Sequence, residues 1–156
     1  MTLQTANERA VLEGFVDRQR GEIAALLDGL TEDQARRRLV PSLTTPLSLV
    51  THATFVEKVW LHHRVQGLSR AEVGIPESVE ESFVPADDVT IESARTAYVE
   101  ACERSRQIAA AHDLDEEFTW YDNSVSLRFI YGHLIAELAR HAGHGDILRE
   151  QILAGT

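Results

Sequence analysis

Seven histidines occur in this 156-residue chain: His52, His62, His63, His112, His133, His141 and His144. His133, Glu137, His141 and His144 are separated by four, four and three residues. On a helix that spacing stacks them along one face. The same face carries Leu127, Ile130, Leu134, Leu138 and Leu148. Ionisable groups on a core-facing stripe are costly unless they are paired or bound to a metal. His52 stands in the same way among Leu49, Ala53, Val56 and Trp60 of another segment.

Two ligands at i and i+4 on one helix, with a third from a facing helix, is how helical bundles build metal sites. Glu137 and His141 would supply the first two and His52 the third. Three protein ligands leave positions open for water or substrate, as in catalytic rather than structural zinc. Imidazole with carboxylate suits zinc, nickel or iron, and spacing does not choose among them. A plainer reading stands beside this one. A histidine on an apolar face is often a hydrogen-bonded core group, and His133 with Glu137 could be a simple i,i+4 pair. His62, His63 and His112 fall at helix ends, where cations favour the helix dipole, and are expected to be structural.

These residues need helices to hold them. The first helical segment runs from about Asn7 to Leu27, with Val11, Leu12, Phe15, Ile23, Leu26 and Leu27 on its apolar face and Gly29 as its stop. Thr31-Glu32-Asp33-Gln34 reads as a capping box for a short turn. The second helix begins at Thr45-Pro46, a cap followed by proline, and continues to about Val65. Gly67 to Asp88 is the one long connection, acidic and loop-like with a short turn of helix. Thr90 caps a third helix reaching about His112, with small residues along its stripe. Asp113 to Asn123 reads as an aromatic loop, and Ser124 caps the longest helix, which ends near Leu153. Within it, Gly143 and Gly145 each cost about 1 kcal/mol relative to alanine. They either admit a close neighbour or merely weaken the helix. No strand-like alternation persists, so the expected fold is all-α: a four-helix bundle, with the long link able to act as a crossover in an up-down-down-up order.

Composition narrows the function classes. Fifteen Lys+Arg against 25 Asp+Glu give a formal net charge of −10. That argues against binding nucleic acid or coating an anionic membrane, since both need a basic field. A hydrophobic content of 44% suits a globular protein, and the length suits one domain over residues 1–156. No apolar run approaches the roughly 20 residues needed to span a bilayer. The start lacks a signal-peptide pattern, and the single cysteine, Cys102, cannot form an internal disulfide. A cytoplasmic setting is expected.

The chain resembles the DinB-like superfamily in its actinobacterial branch. The resemblance rests on Glu8-Arg9, Pro41-Ser42, Leu49-Val50-Thr51-His52 with Glu57 and Trp60, and Tyr98. Most specific are Ser126-Leu127-Arg128 and the run from His133 to Glu150. It implies a bundle of up-down-down-up topology, often dimeric. It also implies a divalent metal, zinc or nickel, on His52, Glu137 and His141. Glu137 stands where the commoner family pattern has histidine. Some relatives are thiol S-transferases using mycothiol or bacillithiol. In such an enzyme a metal lowers the thiol pKa, and an arginine, Arg128 or Arg140, could hold a cofactor or substrate carboxylate. Cys102 is expected to be a packed thiol.

Three readings follow. In one, the protein is a metal-dependent S-transferase or isomerase acting on a small electrophile. In another, it is a non-catalytic, metal-binding or stress-responsive dimeric bundle. A plain structural dimer with satisfied core histidines is a third.

Overall fold

The computed structural model describes residues 2–155. Helix α1 covers Glu8–Ala25, capped by Asn7, whose side chain accepts from the Ala10 amide. The short α2, Glu32–Ala35, opens with the Thr31/Gln34 capping box expected from sequence. Helix α3, Pro46–Glu57, starts at Thr45 with proline in its first turn. Helix α4, Arg70–Val73, and a 3-10 turn at Glu80–Phe83 occupy the long connection. Helix α5, Ile91–Ala109, is capped by Thr90 and ends about a turn before His112. Helix α6 covers Leu127–Leu153.

Three expectations need correction. The second long helix is not α-helical throughout: Lys58–Val65 is π-helical. Its wider turn is seen where the Gln66 amide donates to the Leu61 carbonyl at 2.9 Å. The fold is also not purely helical. Strands β1 (Glu117–Trp120) and β2 (Asn123–Ser126) form an antiparallel hairpin in the stretch read as a loop. Phe118 pairs with Val125 across it, and both are buried against the helices. Tyr121 makes the turn at φ 52°, uncommon for a bulky residue. Finally, Ser126, not Ser124, caps the last helix, accepting from the Phe129 amide at 3.1 Å. The hairpin uses Ser124 as a strand residue instead.

The long helices bury their apolar faces against one another, α1 along α6 and the second long helix against α5 and α6. The core falls into two clusters. One holds Val16, Trp60, Leu61, Ile130 and Leu134; the other holds Ile23, Leu26, Leu49, Tyr98 and Leu138. Leu134 and Leu138 belong to different clusters, so Glu137 lies where the two meet. Between the clusters a buried ion pair ties α1 to the second helix. Arg20 donates to both oxygens of Glu57 at 2.8 Å each. Arg149 donates to the Leu26 and Asp28 carbonyls and so closes the C-terminal end of α1. Among the described residues, no helix is long and apolar enough to cross a membrane.

The glycines of α6 differ in role. A Cβ on Gly145 would sit 2.4 Å from a methyl of Leu26, whereas one on Gly143 meets nothing within 4 Å. Leu26 is itself buried and cannot swing aside into solvent. Gly145→Ala is therefore expected to lower stability by about 1–3 kcal/mol. Gly143→Ala should raise it by up to about 1 kcal/mol. Urea unfolding of both variants tests this, and equal shifts would refute the close approach of α1 to α6.

His62 is buried, with Nε2 3.2 Å from the Ala101 carbonyl and from the Ser105 hydroxyl. Burial pulls its pKa below the ordinary 6.5. A histidine that is harder to protonate when folded stabilises the fold above its unfolded pKa. That contribution is lost as the pH falls below about 6.5. Between about pH 7.5 and 5 the thermal midpoint of wild type should fall more than that of His62→Gln. Parallel curves would assign the acid sensitivity elsewhere.

Candidate metal centre

His52 projects from the second turn of α3, and Glu137 and His141 from successive turns of α6. One ligand atom from each lies within 4.8 Å of the others. A single oxygen of Glu137, Oε1, is 3.2 Å from His52 Nε2 and 3.0 Å from His141 Nε2. The two imidazoles meet edge to face, 4.7 Å between ring centres. His52 is almost wholly buried, and Glu137 and His141 are partly exposed. The site thus has a closed floor and an open mouth.

The surroundings orient His52. Phe83 stacks on its ring at 3.9 Å. Its Nδ1 lies 2.8 Å from Ser82 Oγ, and that hydroxyl donates to the Val79 carbonyl at 2.5 Å. A hydroxyl has one proton, so Ser82 accepts from His52 and the imidazole proton sits on Nδ1. In neutral His52 the lone pair of Nε2 then faces the Glu137 carboxylate, two acceptors with nothing between them. Burial favours the neutral form by pulling the His52 pKa down. His141 Nδ1 is buried without a hydrogen-bond partner. The hydrogen bond from His141 holds the Glu137 carboxyl well below the usual carboxylate range, so it stays anionic.

This donor set fits a divalent cation. Two imidazole nitrogens and one carboxylate oxygen, spaced so closely, suit an ion with ligands about 2 Å away. A cation would relieve the lone-pair conflict. The Nδ1–H of His52 bonded to Ser82 is the outer-shell contact that usually fixes a ligating histidine.

The sequence candidates separate into two groups. His52, Glu137 and His141 come together; Arg128 and Arg140 do not join them. Arg128 is ion-paired with Glu8 and Asp115 near the start of α6. Arg140 is exposed. His133 lies one turn before Glu137 with its ring 4.5 Å from Trp60, and His144 is exposed but stands edge-on to His141 at 5.7 Å. His63 Nδ1 is bonded to the Leu68 carbonyl and His112 to Glu116, as befits structural groups. Cys102 is buried, and burial pushes its thiol up to about 12. Sequence reasoning missed Ser82 and Phe83. A lone aromatic in the acidic connection was their only signal.

A family model described as MST: Mycothiol-S-transferase matches residues 11–154. No curated protein matches the chain.

The Ser82 hydroxyl makes a prediction of its own. Ser82→Ala should weaken divalent-metal affinity about 10–100-fold, read by competition with a chromogenic chelator. Unchanged affinity would show that His52 holds its orientation without Ser82.

Proposed function

The chain belongs to the mycothiol-S-transferase family, and from that membership we propose that it is a divalent-metal-dependent thiol S-transferase acting on a small electrophile. The observation that carries this reading is the convergence of His52, Glu137 and His141 on one point, with the His52 lone pair turned toward a carboxylate. These three residues would hold zinc or nickel. A bound divalent metal supplies one thing here: it lowers the pKa of a thiol beside it, so that thiolate is present at neutral pH.

The chain's own residues do the rest. Glu137, anionic throughout the physiological range, offsets the charge of the cation. Ser82 and Phe83 keep the His52 ring from turning. The partly buried His133 is kept neutral by burial, which pulls its pKa down. Its lone pair makes it able to take the thiol proton. The thiolate sulfur would then bond to the electrophilic carbon as that carbon's bond to a leaving group breaks, the group departing with the bonding pair and the proton passing from His133 to solvent. Leu134 and Leu138, on either side of Glu137 along α6, are fully buried in the core.

The reading carries an architecture and a setting with it. We take residues 1–156 as one DinB-like domain, a four-helix bundle in up-down-down-up order with residues 67–88 as crossover. It would act in the cytoplasm as a homodimer.

Elemental analysis of wild type against His52→Ala and His141→Ala tests the site. Wild type should hold close to one equivalent of metal and each variant less than about a tenth of that. Metal-loaded wild type should then consume monochlorobimane in the presence of mycothiol, and both variants should not. Equal, low metal in all three proteins would overturn the metal site. Metal without consumption of the electrophile with mycothiol, bacillithiol or other small thiols would favour the non-catalytic metal-binding bundle.

A further inference from the structure

Beside the hairpin lies a cavity of about 790 Å³, bordered by Arg64, Arg70, Leu68, Phe118, Thr119 and Tyr121 among others. Two guanidinium groups there are left with unmatched nitrogen atoms. Arg64, on the π-helical segment, lies over the Trp60 ring with its guanidinium carbon 4.1 Å from the ring centre. Trp120 and Tyr121 flank it at 6.0 and 5.8 Å. Its Nη1 is buried with no hydrogen-bond partner. Among the described residues no carboxylate comes within ion-pairing distance of it. Burial disfavours its charge accordingly.

Arg70 is anchored from one side only. Its Nη2 donates to the Pro76 and Glu77 carbonyls at 2.7 and 3.0 Å. Its Nε is buried without a hydrogen bond, the Glu77 carboxylate reaching only to 3.7 Å. The two acidic residues on the cavity wall are engaged elsewhere. Glu72 accepts from the Ser69 amide and hydroxyl, and Glu117 accepts from the Ser124 hydroxyl.

An unsatisfied buried donor costs about 1–3 kcal/mol, and more when it belongs to a charged group. A chain with 25 acidic residues has placed none where it would satisfy Arg64. The forked donors of arginine match a carboxylate well. The ring contacts also connect this cavity to the metal centre along two routes. Trp60 touches both Arg64 and His133, one turn from Glu137. Phe55 lies 5.8 Å from the Arg70 guanidinium carbon and 6.2 Å, centre to centre, from the His52 ring. A ligand anchored on the guanidinium groups would lay its apolar body along Leu68, Phe118 and Tyr121 of the cavity wall, with the buried Trp60 and Phe55 between it and the metal centre.

We propose that Arg64 and Arg70 form a subsite for the carboxylate of the electrophile, so that the substrate class is a small, carboxylate-bearing electrophile with an apolar or unsaturated body. Naming the ligand as the electrophile rests on the transferase reading above; the binding of a carboxylate here does not.

The test uses metal-stripped, full-length protein and fumarate as the probe. Binding is read by calorimetry and by the fluorescence of Trp60 and Trp120, the chain's 2 tryptophans, both of which contact Arg64. Wild type should bind fumarate saturably. Arg64→Met and Arg70→Met should each weaken binding at least about tenfold, while Arg18→Met, an exposed charge-matched control on α1, should not. Fumaramide, of the same shape without charge, should not bind. Should Arg64→Met fail to fold by circular dichroism, Arg70→Met decides the matter. Absence of saturable fumarate binding, binding by the arginine variants equal to wild type, or inorganic phosphate binding as tightly as fumarate would each overturn the subsite. Fumarate binding without any thiol transfer would leave the subsite standing and sink the transferase reading. Thiol transfer to a neutral electrophile without fumarate binding would sink the subsite alone.

Discussion

The buried ion pair between Arg20 and Glu57 sets the geometry on which the rest depends. Glu57 is wholly buried and Arg20 nearly so, and the pair makes two parallel 2.8 Å hydrogen bonds. Placing two charges there is expensive, and apolar residues of the same volume would often serve stability as well. What the pair supplies is position. A carboxylate that must find one guanidinium fixes the rotation of its helix about its own axis, and removing either partner leaves an uncompensated charge at a cost of about 3–5 kcal/mol. Glu57 is the last α-helical residue before the π-helical segment. The pair therefore pins the second long helix at the point where its hydrogen-bond register changes. Tyr98 and Cys102 of α5 lie close enough for Glu57 to oppose their ionisation, with burial the larger cause in both.

Glu137 obeys the same physics with a different outcome. Glu57 is satisfied by a forked cation on both oxygens and has nothing left to offer. Glu137 receives two imidazole nitrogens on one oxygen, one of them presenting a lone pair rather than a proton. The first carboxylate is closed and the second is open. Burial does not separate them by function. The state of their partners does: a complete donor set marks structure, and an incomplete one marks a place for something else.

Much of this was legible in the sequence, for local reasons. The caps at Thr31, Thr45 and Thr90 announce themselves by side chains that satisfy the first amides of a helix. The pairing of Glu137 with His141 follows from helical spacing, and His52 from an apolar face that carries an imidazole. Other features depend on tertiary choices. The hairpin has strands of only four residues and a turn with tyrosine at positive φ where glycine or asparagine would signal it. Its inward pair, Phe118 and Val125, has too short a pattern to show a period of two. The role of Arg149 at the end of α1 is not legible because nothing in the sequence tells that α1 ends beside it. Nor does Lys58–Val65 announce a π-helix: its residues suit an α-helix as well.

That wider turn has a consequence for the site. In a continuous α-helix Trp60 and Arg64 would be rotated from His52 by about 80° and 120°, at 3.6 residues per turn. Hydrogen bonds from i to i+5 place more than four residues in each turn, which winds both side chains back toward the face that carries His52. The ring contacts agree with this: Trp60 reaches His133 of α6, the helix that also carries Glu137, and Arg64 lies on Trp60. The pinned register at Glu57 thus does two things with one strand of logic. Upstream it holds His52 at the carboxylate, and downstream it turns an aromatic ring and a guanidinium onto the same side. The candidate metal ligand His52 and the Arg64 guanidinium then lie on one side of one helix, with the Trp60 ring against Arg64. On the proposed reading, that arrangement would suit a reaction in which an anionic molecule is held at one end while its other end meets a thiolate.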